Sequence, residues 1–200
     1  MLKIVINDKE HIKKFERITW KGGINGTSRT LEVKYLDDNQ IANLGDKVEF
    51  YVDADKLFIG KVFSVEVVGD SKIRTFRCFD SSIYLNKNYF VKNFNKKKPS
   101  QILKEICGEL KLEVGNIPED KVDCTYPAVN KSGYQIILNA YTIQHRKDKK
   151  IYSIVSNDGK IEVVEQGSLA DVMLNSEQDI KKSKYGEDIE QMVNQIVIYK

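Results

Sequence analysis

Few side chains in this sequence could form a nucleophilic pair, because the chain has three cysteines and two histidines. Cys107 with His145 is the one imaginable dyad, in which the imidazole would take the thiol proton and leave a nucleophilic thiolate. Cys107 falls on the apolar stripe of a predicted helix, and His145 lies near a helix end, where a basic group complements the dipole. His11 and His145 lie far apart, without metal-ligand spacing. We therefore predict no catalytic or metal-binding histidine.

Paired carboxylates could supply the two acidic groups of a glycosidase. Three candidate pairs lie in polar stretches typical of solvated turns: Asp37 with Asp38, Asp53 with Asp55, and Glu119 with Asp120. A general acid needs burial to raise its pKa, and these stretches give no sign of burial. We predict no catalytic carboxylate.

The short motifs of common enzyme classes do not occur in the sequence: there is no GxSxG, HExxH, Walker loop or GxGxxG. The Trp20–Gly23 stretch resembles a phosphate loop but lacks the following helix, so we interpret it as a turn between strands. Cys78, Cys107 and Cys124 are odd in number and have neither CxxC nor zinc-ligand spacing. The sequence therefore predicts free thiols in a reducing compartment, and neither metal nor cofactor.

Charge and hydropathy exclude further classes. The 32 basic and 29 acidic residues leave a net charge of +3, far from the excess of a dedicated nucleic-acid binder. Lysine runs at 92–98, 147–150 and 181–184 could bind nucleic acid or an anionic wall, but they are scattered and balanced by acids, which favours a solvated face. No apolar run approaches the roughly 20 residues that span a bilayer.

The first ninety residues alternate as half-buried strands do. The predicted strands lie near residues 2–6, 15–20, 29–36, 48–52, 57–67 and 72–80. Short strands at near-regular spacing indicate a barrel or sandwich, and Gly60 inside the longest one suggests a bulge or bend. Four aromatic side chains are expected to hold its core: Phe50, Phe58, Phe63 and Phe76.

The period then changes to that of helices. Pro99 suits a first helical position, and apolar residues recur at helical spacing to Leu110. Ser132 and Gln135 form a capping-box pattern that opens a second helix. A hairpin is predicted from two strands that flank residues 156–159, because Asp-Gly favours a tight turn. The stretch 86–98 is interpreted as a linker, and the segment between the helices as a polar connection.

Residues 168–192 contain two short candidate strands, and Val193–Lys200 has a strong strand pattern. A strand at the last residue must pair with a neighbour or remain an exposed edge. We interpret this as a hint that the polypeptide continues or that another chain supplies the neighbour.

Several stretches, taken together in their order along the chain, resemble a known family. They are Ser28–Val33, the "F-x-G-x-V" strand at Phe58–Val62, the "D-x-x-x-Y-L-x-x-N" passage at Asp80–Asn88, the helix starts at Pro99 and Ser132, and the hairpin at 150–161. Together they resemble the XkdQ-type tail proteins of defective prophages and contractile bacteriocins, which are baseplate hub proteins. The resemblance covers residues 15–200 and carries over no catalytic residue.

The resemblance implies an α+β fold: a mostly antiparallel, tail-tube-like β-barrel interrupted by a mixed α/β insertion with two helices and a hairpin. The expected domains are the barrel at 1–90, the insertion at 91–168, and return strands at 169–200 that complete the barrel or begin a second one. Three copies would form a homotrimeric ring between tail tube and central spike. The tape-measure protein and other baseplate proteins are further candidate partners.

The sequence therefore predicts a non-enzymatic structural subunit of a contractile phage tail or tail-like particle. It would be assembled in the bacterial cytoplasm and act without a cofactor. Two alternatives stay open. A tail-tip peptidoglycan hydrolase would need a buried carboxylate or a Cys–His pair in a cleft, and a cell-wall-binding module would need affinity for isolated walls that resists salt.

Overall fold

The computed structural model describes residues 2–11, 15–23, 28–36, 40–67 and 72–167. The strands predicted after residue 168 lie outside these ranges. Two buried hydrophobic clusters organise the described residues, one built from strands before residue 80 and the other from helices and strands after residue 82.

The first cluster is covered by a seven-stranded antiparallel sheet. Its strands are β1 (Leu2–Ile6), β2 (Lys9–His11), β3 (Phe15–Lys21), β4 (Thr30–Leu36), β5 (Lys47–Val52), β6 (Asp55–Val67) and β7 (Ile73–Phe79). They pair in the order β2-β1-β5-β6-β7-β4-β3, so β2 and β3 are the edges of the described sheet. The α+β class is confirmed, and within the described residues the sheet is open rather than closed into a barrel.

The period-two pattern of the sequence explains why these segments are strands. In β4 the side chains of Leu31, Val33 and Tyr35 are fully buried, while their neighbours are half-buried or exposed. Alternate side chains of a strand point to opposite faces, so one face of β4 lies on the core. The register follows, because a slip of one residue would turn this apolar set to solvent.

The bulge or bend predicted at Gly60 does not occur at this residue, but β6 has register shifts a few residues away on either side. Gly60 itself pairs regularly with Val48, and the register shifts of β6 and its neighbours fall at Phe50/Tyr51 and at Val62/Ser64. The glycine is needed for another reason: a Cβ at this position would lie 2.4 Å from the Phe79 carbonyl oxygen.

Three of the four predicted core aromatics are buried, namely Phe50, Phe58 and Phe76. The prediction for Phe63 was wrong, because 42% of this residue is exposed. Phe63 is the extra residue where β6 shifts register against β7 between Val62 and Ser64. It directly follows buried Val62, and successive side chains of a strand point to opposite faces, so Phe63 lies outside the core.

The second cluster lies in a mixed α/β region. Its elements are α1 (Ile83–Lys87), β8 (Tyr89–Lys97), α2 (Pro99–Glu109), β9 (Cys124–Ser132), α3 (Gly133–Asp148), β10 (Tyr152–Asn157) and β11 (Lys160–Glu165). Two antiparallel ribbons, β8–β9 and β10–β11, pack with the helices. The predicted helices and hairpin are therefore present.

Local capping explains where α3 begins. The Ser132 hydroxyl accepts a hydrogen bond from the Gln135 N–H at 3.2 Å, and the Gln135 Oε1 accepts one from the Ser132 N–H at 3.1 Å. This is the capping box that the sequence predicts. At the other end, Lys149 adopts the left-handed conformation with φ 64°, which ends the helix.

Two strands were missed by the sequence analysis. The predicted linker at 86–98 contains strand β8, and the predicted polar connection contains β9, which includes Pro127. Proline is tolerated here because a two-stranded ribbon consists of edge strands only.

A fully buried glutamine fixes the loop between α2 and β9. The Gln144 Nε2 donates to the Glu119 carbonyl oxygen at 3.1 Å and to the Tyr152 hydroxyl at 3.0 Å, and its Oε1 accepts from the Lys121 N–H at 3.0 Å. A buried amide must be paired to avoid a desolvation penalty. Gln144 therefore ties this loop to α3.

Candidate assembly surfaces

The "D-x-x-x-Y-L-x-x-N" passage forms a joint between the sheet and the α/β region. The buried Asp80 carboxylate accepts hydrogen bonds from the Arg29 N–H at 3.0 Å, the Ser82 N–H at 3.1 Å and the Ser82 hydroxyl at 2.5 Å. Burial raises the pKa of Asp80, and these hydrogen bonds oppose that effect. Asp80 thus connects the start of β4 to the turn that opens α1.

The rest of the passage serves the second core. Leu85 is fully buried in the α/β cluster. Asn88 ends α1 by donating from its side chain to the Tyr84 carbonyl oxygen at 2.9 Å, and its own carbonyl accepts from the Gly133 N–H at 3.1 Å. Each fixed position of this motif therefore has a structural contact.

The tip of the β10–β11 hairpin also contacts the sheet. The Ser81 hydroxyl donates to the Gly159 carbonyl oxygen at 3.0 Å, and Lys56 on β6 forms an ion pair with Asp158 at 2.8 Å. The ion pair lowers the pKa of Asp158. The joint therefore has a buried contact at Asp80 and a solvated one at Asp158.

A groove beside this joint is lined mainly by apolar side chains. Phe63 meets Phe79 edge to face with ring centroids 5.3 Å apart, and Tyr84 lies 6.2 Å from Phe63. Ile59 completes the apolar lining, and the volume is about 200 Å³. We call this the aromatic groove. Its polar lining consists of Lys47, Lys61, Asp80 and Ser81.

The second exposed apolar surface is the outer face of the β8–β9 ribbon. Val91 and Val129 are cross-strand partners and are 74% and 63% exposed, and Tyr89 is 63% exposed on the same side of β8. The opposite side of the ribbon contributes Phe94 and Ala128 to the core. Contiguous exposed apolar patches mark interaction surfaces, so both surfaces are candidates for contacts with other proteins.

The residues that could have formed a catalytic dyad lie in unsuitable environments. Burial raises the pKa of the Cys107 thiol to about 11, which disfavours the nucleophilic thiolate. The His145 Nδ1 is hydrogen-bonded to the Lys150 carbonyl oxygen at 3.0 Å. Cys78 and Cys124 are likewise free, as predicted. Both are also buried, and burial raises their pKa values to about 12 and about 11.

The candidate carboxylates have structural partners. Asp120 accepts hydrogen bonds from the Ser100 N–H at 2.9 Å and the Ser100 hydroxyl at 2.6 Å, and so caps the start of α2. Glu119 pairs with Lys121. Asp53 and Asp55 lie in or beside the exposed turn after β5, and Asp37 and Asp38 are outside the described ranges. Sequence reasoning overlooked the buried Asp80, although its motif was noted.

Lysines of the first two runs form local contacts. Lys92 and Lys97 both pair with Glu105 on α2, and Lys92 also reaches Glu109. Lys150 pairs with Glu165 at 2.8 Å, and the Lys147 ammonium donates to the Lys121 carbonyl oxygen at 2.8 Å. The third run lies outside the described residues. Ion pairing of this kind is typical of a solvated face rather than of a phosphate-binding surface.

No helix in the described part of the chain is both long and apolar enough to cross a membrane. No group of three or more histidine, cysteine or acidic side chains there could hold a metal ion.

The fold is shared with solved tail proteins. One is a 43 kDa tail protein of prophage MuSo2 from Shewanella oneidensis, with TM-score 0.65, 10% identity, and coverage of 81% of this chain and 52% of that one. Another is a tail protein from Neisseria meningitidis MC58, with TM-score 0.65, 12% identity, and coverage of 81% and 49%.

A third structure comes from a secretion system. It is the Escherichia coli c3393 protein, described as a type VI secretion component with structural similarity to the T4 bacteriophage tail proteins gp27 and gp5. It matches with TM-score 0.56, 13% identity, and coverage of 80% of this chain and 48% of that one. This chain therefore spans about half the length of the solved structures it matches.

No curated protein sequence matches the chain. A family model does, over residues 18–200, which is nearly the whole chain. The resemblance to a tail-protein family is thus confirmed: the chain belongs to the family described as YQBQ-like.

Proposed function

We propose that this chain is a structural subunit of the baseplate hub of a contractile phage tail or a phage-tail-like particle. The observation that carries the proposal is the family match over residues 18–200, together with the fold shared with solved tail proteins. The proposed mechanism is mechanical. Copies of the chain form an adaptor ring that joins the tail tube to the central spike, so that tube and spike leave together on contraction.

The two edges of the described sheet support a ring built from several chains. Strands β2 and β3 each have one neighbour in the described pairing order. An edge strand presents unpaired backbone groups, and proteins pair or cover such edges. In the proposal the sheet becomes a tube-like barrel whose edges are completed by residues 169–200 or by a neighbouring copy, and three copies close the ring.

The separation of the two cores supports the proposed domain division. Cluster members of the sheet end at Cys78, and those of the α/β region begin at Leu85. A tube-like domain followed by an inserted α/β domain would give this arrangement, with the Asp80 passage as the joint.

In the direct test, the gene is deleted from the bacterium that carries it, and the tail particles that the strain still produces are examined by electron microscopy. The proposal expects tubes and spikes that fail to join, and restoration when the gene is supplied in trans. Intact, contraction-competent particles from the deletion strain would contradict it.

A second test uses purified proteins. The chain, the tail tube protein and the spike protein of the same particle are mixed and measured by native mass spectrometry. A ring would contain three copies of the 23.0 kDa chain bound to both partners. A zymogram with the same preparation separates this function from wall hydrolysis, since clearing of peptidoglycan would argue for an enzyme instead.

A further inference from the structure

The rim of the aromatic groove carries an electrostatic imbalance. Lys47 and Lys61 are direct cross-strand partners on β5 and β6, and both line the groove. Like charges placed directly opposite each other in a sheet destabilise it. Lys47 is compensated by Glu49 at 2.8 Å, whereas Lys61 has no ion pair with any described residue. The Asp80 carboxylate also lines the groove, but it is buried and accepts its hydrogen bonds from Arg29 and Ser82 rather than from Lys61. The rim therefore favours an added negative charge beside Lys61.

The size of the groove suits one side chain. Its volume of about 200 Å³ is smaller than the roughly 300 Å³ at which small-molecule pockets begin. Protein interfaces concentrate their binding energy in such pockets, which are filled by an aromatic or aliphatic anchor. Phe63, on the outer side of β6, supplies an exposed ring for that contact.

A second exposed apolar residue lies in the turn before β5. Leu44 is 69% exposed in a turn that the Gly45 N–H attaches to the Val62 carbonyl oxygen at 2.9 Å. The Asp46 side chain accepts from the Asn43 N–H at 2.7 Å and holds this turn in place. The turn is therefore joined to β6 at the residue before Phe63, and it leads into Lys47 on the rim of the groove.

We infer that the aromatic groove binds a segment of another protein that carries a large apolar side chain two residues from an acidic one. The apolar side chain lies between Phe63, Phe79 and Tyr84, and the carboxylate pairs with Lys61. Lys61 and Phe63 lie on the same outer side of β6. Residues two apart on an extended segment are about 6.6 Å apart on one face, which matches this spacing. The source of the segment as a neighbouring tail protein rests on the proposed hub function.

The test is an NMR titration of the full chain with each of two synthetic peptides. One peptide has phenylalanine and aspartate separated by one glycine, and the other has lysine in place of aspartate. We expect the acidic peptide to shift resonances of Phe63, Phe79 and Tyr84 and to bind about tenfold more tightly than the basic one. Equal affinities, or no shifts at these residues at about 10 mM peptide, the weak end of measurable binding, would overturn the inference.

Two variants sharpen the test. Lys61→Glu replaces an attraction by a repulsion, so it should weaken the acidic peptide about tenfold and strengthen the basic one. Lys131→Glu makes the same charge change on the exposed face of β9, away from the groove lining, and should leave both affinities unchanged. A similar loss in both variants would indicate a general charge effect and contradict the assigned groove.

The failure of this inference is distinguishable from that of the hub proposal. Selective peptide binding combined with intact particles in the deletion strain would retain the groove and remove the hub function. Loss of particles in the deletion strain without peptide selectivity would retain the hub function and remove the groove.

Discussion

The sheet and the α/β region achieve a unique structure by different means. The buried cluster of the sheet consists only of hydrophobic residues, drawn from strands far apart in the chain. The α/β cluster is apolar too, but buried polar residues such as Ser132, Gln144 and Glu162 adjoin it. The sheet core therefore depends mainly on side-chain shape and register, whereas the α/β region also contains a fully buried amide, Gln144, that is held by three hydrogen bonds.

The largest expected effect tests whether the two cores unfold separately. Phe76→Ala in the sheet and Ile106→Ala in α2 each remove a fully buried side chain. Each should lower the free energy of unfolding by about 3–4 kcal/mol. In hydrogen-exchange measurements, Phe76→Ala should reduce the protection of backbone amides in β4, β6 and β7. The amides of α2 and α3 should stay protected. Equal loss of protection in both regions would show one cooperative unit and break the comparison.

The same substitution, glycine to alanine, is expected to change stability in opposite directions in the two regions. Gly60→Ala places a Cβ 2.4 Å from the Phe79 carbonyl oxygen and 2.6 Å from the Phe58 ring, so it should destabilise by about 2–3 kcal/mol. Gly108→Ala in α2 meets nothing within 4 Å and should stabilise by about 0.5–1 kcal/mol through helix propensity. Thermal unfolding measures both. A tolerated Gly60→Ala would mean that β6 and β7 can move apart.

The contrast also explains which elements the sequence predicts. Strand β4 and helix α3 were predicted because their periodicity and capping residues are local signals. Strands β8 and β9 were not, because each forms one side of a narrow ribbon and contains lysine and asparagine, with a proline in β9, a composition that resembles a linker. Their identity depends on pairing between residues far apart in the chain, such as Tyr89 and Ser132, which are 43 positions apart.

The candidate surfaces were predictable only in part. Phe63 directly follows buried Val62, so simple alternation already places it on the outer face of β6, and counting it among the core aromatics overlooked that alternation. The chemistry of Asp80 was less accessible, because its burial follows from the packing of the joint rather than from its own sequence context.

A smaller effect is expected from the buried amide that distinguishes the α/β region. Gln144→Met keeps the size of the side chain but leaves the Lys121 N–H, the Glu119 carbonyl and the Tyr152 hydroxyl without this partner. The free energy of unfolding should fall by about 1–3 kcal/mol. Thr142→Ala on the exposed side of α3 is the control, expected to change it by no more than about 0.5 kcal/mol. Equal stability of both variants in urea unfolding would remove the polar network as a distinguishing feature.

The smallest effects concern pH at the joint, where two aspartates respond in opposite directions. Burial raises the pKa of Asp80 above its ordinary 3.8. Its proton binding therefore stabilises the fold below pH 3.8, and this contribution is lost as the pH rises through the raised folded value. Lys56 lowers the pKa of Asp158, so that ion pair stabilises the fold above pH 3.8 and is lost as the pH falls through the lowered folded value.

Urea unfolding of the wild type, Asp80→Asn and Asp158→Asn from about pH 3 to about pH 6 separates the two responses. As pH rises, the stability of the wild type relative to Asp80→Asn should fall, and relative to Asp158→Asn it should increase. The second change should stay below about 1 kcal/mol and shrink with added salt, because the ion pair is exposed. The first should persist in salt, because Asp80 is buried and water does not screen it. The same sign in both variants would contradict the opposite pKa shifts of the two aspartates, and with them the contrast between a buried and a solvated contact.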